Sequence, residues 1–143
     1  MRQDQRPRRN GVAAVEFAVV VPVFFIVVFG MVEFGRAVMV QQVLVNASRE
    51  GARTAVLEVA TLQSVEDSID TYLDASGITD HDTDFTVNGS VVTDPTGNNS
   101  GAGDSIGVAV SVEFNDVSWL PIPEYLGGTT LRAESVMRRE TYQ

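Results

Sequence analysis

Glu16 is the one charged residue between Val12 and Val32. The ten residues ahead of Gly11, MRQDQRPRRN, carry four arginines against one aspartate. A carboxylate placed in hydrocarbon costs on the order of 2.5–3.5 kcal/mol on insertion scales. Such a group is retained where a cation or a hydrogen-bond donor meets it, so Glu16 is the first candidate for chemistry in this chain. The bland alternative makes Gly11 a linker residue and Glu16 a juxtamembrane carboxylate that reaches the surface. Other sets carry less. Asp80-His81-Asp82-Thr83-Asp84 begins like a calcium loop, but Phe85 stands where the sixth-position glycine is needed and Val91 where the twelfth-position acid is needed. It reads as a solvated acidic turn. His81 is the only histidine, and no nucleophile elbow accompanies it. With no cysteine, disulfides, thiolate zinc sites and cysteine nucleophiles are excluded. The expectation is a chain with no catalytic residues, no metal and no cofactor.

The elements that must position Glu16 are legible from charge and hydropathy. The chain has 143 residues, 44% of them hydrophobic and 20% charged, with a net charge of -9 and no lysine. That balance leaves no basic face to neutralise phosphates, which argues against nucleic acid as a partner. The run from Val12 to Val32 spans about 30 Å as a helix, the thickness of a bilayer's hydrocarbon core. It lacks the polar residues at helical spacing that a soluble core helix shows. A secretory signal peptide is disfavoured, because the apolar run exceeds the usual length of about 7–15 residues and no small-x-small exit follows it. Arginines cluster before the run and are absent from Thr54 to Thr130. The positive-inside rule therefore puts the N-terminus in the cytoplasm and the remainder outside.

Beyond the run, EFGRAVMVQQVLVNASREGARTAVLEVA continues as helix to about residue 60. Pro22 is expected to bend it near residue 18. Positions 38, 45, 52, 56 and 59 mark an apolar or small stripe, and Glu33 with Arg36 and Glu50 with Arg53 are spaced to pair on the surface. Residues 61–77 predict a second helix, with Val65, Ile69, Tyr72 and Leu73 as its apolar face, a capping-box-like Ser64 and Asp67, and Gly77 as its stop. The period then changes to two. Phe85 and Val87 lead into the hairpin signal Asn88-Gly89, followed by Val91 and Val92. Residues 94–104 read as a flexible loop. Ile106, Val108, Val110, Val112 and Phe114 read as a half-buried strand, and Leu131, Ala133, Ser135 and Met137 as the inner face of the last one. Between them Trp119, Leu120, Pro121, Ile122, Pro123, Tyr125 and Leu126 make an apolar loop, read as a flap over one end of the sheet. The predicted class is α+β: a long N-terminal transmembrane helix continuing into a small domain with a second helix and a three- to four-stranded antiparallel sheet. The divisions are a basic leader at 1–11, a transmembrane helix at 12–33, a helix extension at 34–60 and an extracytoplasmic α+β domain at 61–143.

The junction Arg8-Arg9-Asn10-Gly11-Val12-Ala13-Ala14-Val15-Glu16-Phe17 resembles the processing site of type IV prepilins and pseudopilins. Glu33-Phe34-Gly35-Arg36 and Asn46-Ala47-Ser48-Arg49-Glu50-Gly51-Ala52-Arg53 look like TadE-like proteins, minor pseudopilins of tight-adherence (Flp-type) pilus systems of bacteria. The resemblance is specific over residues 8–60. It implies a pilin-like fold, an inner-membrane location, and cleavage by a prepilin peptidase between Gly11 and Val12, which makes Glu16 the fifth residue of the mature chain. Cleavage would create the cation that Glu16 lacks, a free α-amine on Val12. The amine of one subunit can pair with Glu16 of the next and set axial register in a filament. Removing the arginines would also release the helix to leave the bilayer, with neighbouring helices in place of lipid. The resemblance implies other pilins or pseudopilins, the pilus assembly platform and inner-membrane lipid as partners, with Glu16 and Phe17 as assembly residues. Glu33, Arg36, Arg49, Glu50 and Arg53 are candidate helix contacts; for Arg49, Glu50 and Arg53 an ordinary role as surface charges is equally open. The alternative from another class is an uncleaved single-span module whose acidic extracytoplasmic domain captures a partner.

Overall fold

A computed structural model describes residues 10–119 and 127–140. The basic leader and most of the apolar flap, from Leu120 to Leu126, lie outside the described residues. The first element, α1, is a helix of 46 residues, Asn10–Ala55, that runs through Pro22. Helix α2 spans Leu62–Asp74. Strands β1 (Asp82–Val87), β2 (Ser90–Val92), β3 (Ser105–Glu113) and β4 (Thr130–Arg138) form one antiparallel sheet in the order β2-β1-β3-β4. A short helix, α3 (Phe114–Val117), starts the connection from β3 to β4. The class is α+β, as expected, with four strands.

Both long helices pack on one face of the sheet. In α1 the buried positions are Glu33, Ala37, Val40, Leu44, Ala47, Ser48, Gly51, Ala52 and Ala55, spaced by three and four residues. Of the expected stripe at 38, 45, 52, 56 and 59, Ala52 is in the core and Val45 and Val56 pack partly buried against it, whereas Val38 is exposed and Val59 lies beyond the end of the helix and is 88% exposed. The C-terminal half of the buried stripe, from Ala47 to Ala55, is made of small residues, and α2 crosses there. A Cβ on Gly51 would meet Ile69 Cγ1 and Cδ1 at 2.8 Å and Val108 Cγ1 at 3.2 Å. Val65, Ile69 and Leu73 supply the buried edge of α2, while Tyr72 stays partly exposed beside it.

Local chemistry fixes the ends of α2. Thr61, not Ser64, is the N-cap: the Ser64 N–H donates to Thr61 Oγ1 at 3.2 Å and the Thr61 N–H donates to Ser64 Oγ at 3.1 Å, a reciprocal box in which serine replaces the usual glutamate. Asp67 instead accepts from Gln63 Nε2. At the other end the Ile78 N–H reaches Leu73 O and the Gly77 N–H reaches Asp74 O, with Gly77 at φ +73° and Ile78 buried. That is a Schellman stop, with Gly77 in the role the sequence assigned it.

Asn88 (φ 51°) and Gly89 (φ 79°) make the two-residue turn between β1 and β2, the left-handed pair that matches strand twist. Strand β1 begins at Asp82, so the acidic run read as a turn is largely strand. Strand β3 is central and buried on both faces, not half-buried as predicted. Its inner residues Ile106, Val108, Val110 and Val112 meet the helices, while its outer residues are Gly107, Ala109 and Ser111. Being small, these let side chains of the flanking strands close over them. Arg132 of β4 reaches Asp84 of β1 across β3, Nη1 to Oδ2 at 2.6 Å. Phe114 is not the strand's last residue but the first of α3, and it is fully buried.

The segment 94–104 is pinned at several points. Asp94 Oδ1 accepts from the N–H and the hydroxyl of Thr96, and Ser100 Oγ donates to Pro95 O. Arg139 donates from Nη1 to Ser100 O and Oγ and from Nη2 to Leu57 O and Glu58 O, tying the end of α1, this loop and the chain beyond β4 together.

Candidate functional site

The feature that separates this chain from an ordinary small α+β domain is the lower half of α1. From Gly11 to Val32 no residue is buried, yet the segment is apolar enough to cross a membrane. Val, Phe and Ile side chains line it all round, and Phe24, Phe25 and Phe29 contact one another along it, centroids 5.7 and 5.9 Å apart. An apolar surface of this size is not left to water. It belongs in lipid or against other helices.

Glu16 and Phe17 both sit on this surface, exposed, as does Val12. Val12 and Glu16 are four residues apart in one helix and therefore share a face, about 6 Å apart along the axis. Gly11 is not required by the fold, since a Cβ there would meet nothing. The same holds for Gly35.

The second group of residues singled out from sequence is spread over different environments. Glu33 is not a surface residue: it is 2% exposed and is the first buried position of α1. Arg36 turns to the β3–β4 connection, where its Nε donates to Val117 O at 2.8 Å and its guanidinium lies 5.2 Å from the centre of the Trp119 ring. The expected Glu33–Arg36 surface pair is thereby replaced by contacts that dock α3 onto α1. Glu50 and Arg53 do pair, at 3.6 Å and largely in solvent. Pairs of that kind contribute little. Arg49 is exposed. The structure brings Arg36 to a defined contact within the chain, while Arg49, Glu50 and Arg53 face solvent.

The acidic segment is dispersed. His81 Nε2 lies 3.2 Å from Asp70 Oδ1, and Asp84 is taken by Arg132. Among the described residues no group of three or more histidine, aspartate or glutamate side chains is placed to hold a metal ion. The carboxylate with the clearest perturbation is Asp104. The Asn88 Nδ2 amide at 2.8 Å, the Gly101 N–H at 2.7 Å and the nearby Arg139 charge hold its pKa below the ordinary 3.8. This is a structural tie between the hairpin turn and the start of β3.

Sequence reasoning missed the roles of two residues it had named. Gly51 is required by the close approach of α2, and its place in a run of small residues was the available signal. Trp119 stacks on Arg36, and no spacing rule links residues 36 and 119.

The fold and this surface together define a chain with one candidate membrane-spanning helix and an α+β domain packed on its distal half. That arrangement fits a single-pass membrane protein. Residues 11–53 match the model of the family described as TadE-like protein, which covers almost all of α1 and bears out the resemblance read from the junction and the EFGR and NASREGAR segments. The match suggests a component associated with Tad pilus systems. No curated protein and no solved structure matches the chain.

Proposed function

We propose that this chain is a minor pseudopilin of a tight-adherence pilus system, made as a precursor and cleaved between Gly11 and Val12 by a prepilin peptidase. Its role is structural: it joins or primes a pilus-like assembly used in secretion or surface attachment. Its partners are other pilins or pseudopilins, the assembly platform and inner-membrane lipid, with the leader in the cytoplasm and the sheet domain outside.

The observation that supports this reading best is the exposed apolar stem of α1 with a single carboxylate, Glu16, near its start. A permanent membrane anchor has no use for a carboxylate in hydrocarbon. A stem that exchanges lipid for neighbouring stems does, if a neighbour's α-amine meets it. Glycine at position 11, where the fold has room for a side chain, is accounted for by the demand of a peptidase.

N-terminal mass determination on membrane and sheared-filament fractions tests the proposal. A chain beginning at Val12 is expected in peptidase-positive cells, and Gly11→Ala leaves the precursor uncut. An intact Met1 chain in those cells would overturn processing and favour the uncleaved tethered module.

A further inference from the structure

We infer that Trp119, held on Arg36, is a lipid-headgroup contact that seats the domain on the bilayer leaflet beside it. The inference rests on reading the lower half of α1 as a membrane span and adds a second point of contact to it. With the hydrocarbon boundary at Val32, Arg36 lies about 6 Å further along the axis. A headgroup layer is about 5–8 Å thick on each side of a bilayer. Arg36 therefore falls within that layer. The Trp119 ring lies beside its side chain, 5.2 Å from the guanidinium, whose Nε is bonded to Val117 O.

Trp119 is 67% exposed although it follows α3, which buries both Phe114 and Val117. Met39, whose Sδ lies 3.6 Å from Arg36 Nη1, is also exposed, at 49%. In water the indole and the thioether beside this cation gain nothing by their exposure. In a headgroup layer they make a favourable set. Indole places an apolar body toward the chains and its N–H toward water, and arginine there can meet lipid phosphate. A second copy of the chain is the competing occupant, but continuity with the span favours lipid. Beyond Glu16 the apolar surface of the stem continues from Phe17 to Val32, about one turn short of Arg36.

Trp119 is the chain's only tryptophan, so its fluorescence reports this contact alone. The experiment uses the full chain reconstituted in vesicles of neutral and anionic phospholipid, with spin-labelled lipids carrying the nitroxide either near the headgroup or at mid-chain, and acrylamide as the aqueous quencher. Quenching by the headgroup-proximal label is expected to exceed that by the mid-chain label by about twofold or more, as befits an interfacial indole. Arg36→Gln should narrow that difference. Emission quenched by acrylamide and by neither lipid, from chains that stay with the vesicles through an alkaline wash, overturns the inference and leaves the span intact. Emission that ignores labelled lipid but changes on dilution with unlabelled lipid assigns the ring to a second copy and also overturns it. Chains that wash off the vesicles would remove the span itself, and the headgroup contact with it.

Discussion

Gly51 of α1 and Ile69 of α2 approach so closely that a Cβ on the glycine would lie 2.8 Å from two carbons of the isoleucine. The helix crossing is therefore set by the absence of one methyl group. Gly51→Ala brings two opposed effects. Alanine improves helix propensity by about 1 kcal/mol, whereas overpacking a filled core costs about 1–3 kcal/mol. With Val108 blocking the other side at 3.2 Å, packing wins, and a net loss of about 1 kcal/mol is expected. Gly51→Val should cost more. Ile69→Val should recover part of the loss in the alanine background while destabilising the wild type. Thermal unfolding of the detergent-solubilised chain by circular dichroism reads all four; an alanine variant more stable than wild type would show that the crossing has slack.

The tie between Asn88 and Asp104 predicts a pH dependence. The folded state holds the Asp104 pKa below 3.8, chiefly through the Asn88 amide and then the Gly101 N–H. A carboxyl with a depressed folded pKa stabilises the fold above its unfolded value. That contribution is lost as pH falls through the folded value. Replacing Asn88 with glycine keeps the left-handed turn and removes the amide. In Asn88→Gly the Asp104 pKa, followed by NMR titration of the side-chain carboxyl carbon, is expected to move up toward 3.8. The stability gap between this variant and wild type should shrink on acidification below that value. An unmoved titration would assign the shift to Gly101 and Arg139 instead.

Glu16→Ala separates the membrane from the assembly. Removing the carboxylate eases insertion by at most the roughly 2.5–3.5 kcal/mol that a charge costs at a helix centre, so the variant should be membrane-bound and cut at least as well as wild type. On the proposed pairing, recovery in the sheared fraction is expected to fall severalfold, because the α-amine of a neighbouring stem would lose its partner. Glu16→Gln should fall as well, since an amide keeps the shape and loses the charge. Wild-type recovery of both variants would mean that the carboxylate is dispensable.

The elements were readable where local chemistry decides them. Asn88-Gly89 fixes its hairpin, Gly77 its helix stop, and alternation in β4 its inner face. What depended on neighbours was not. The burial of β3 on its outer face comes from Asp84 and Arg132 meeting over Ala109 and Ser111, which no pattern within the strand displays. The phase of the α1 stripe is set by where α2 and the sheet press on it, and Gly51 has meaning only beside Ile69. The apolar stem was legible as a long helix because its character lies in composition rather than in pairing. Glu33 was misplaced on the surface for the opposite reason: its burial is a tertiary fact, and a glutamate beside an arginine at helical spacing looks like any exposed pair.

The unbroken run of α1 from Asn10 to Ala55 makes residue count a rotational coordinate. One residue inserted between Val32 and Glu33 would turn the sheet by about 100° around the stem and lift it by about 1.5 Å. Whatever lattice grips the stem thereby dictates the compass bearing of the head.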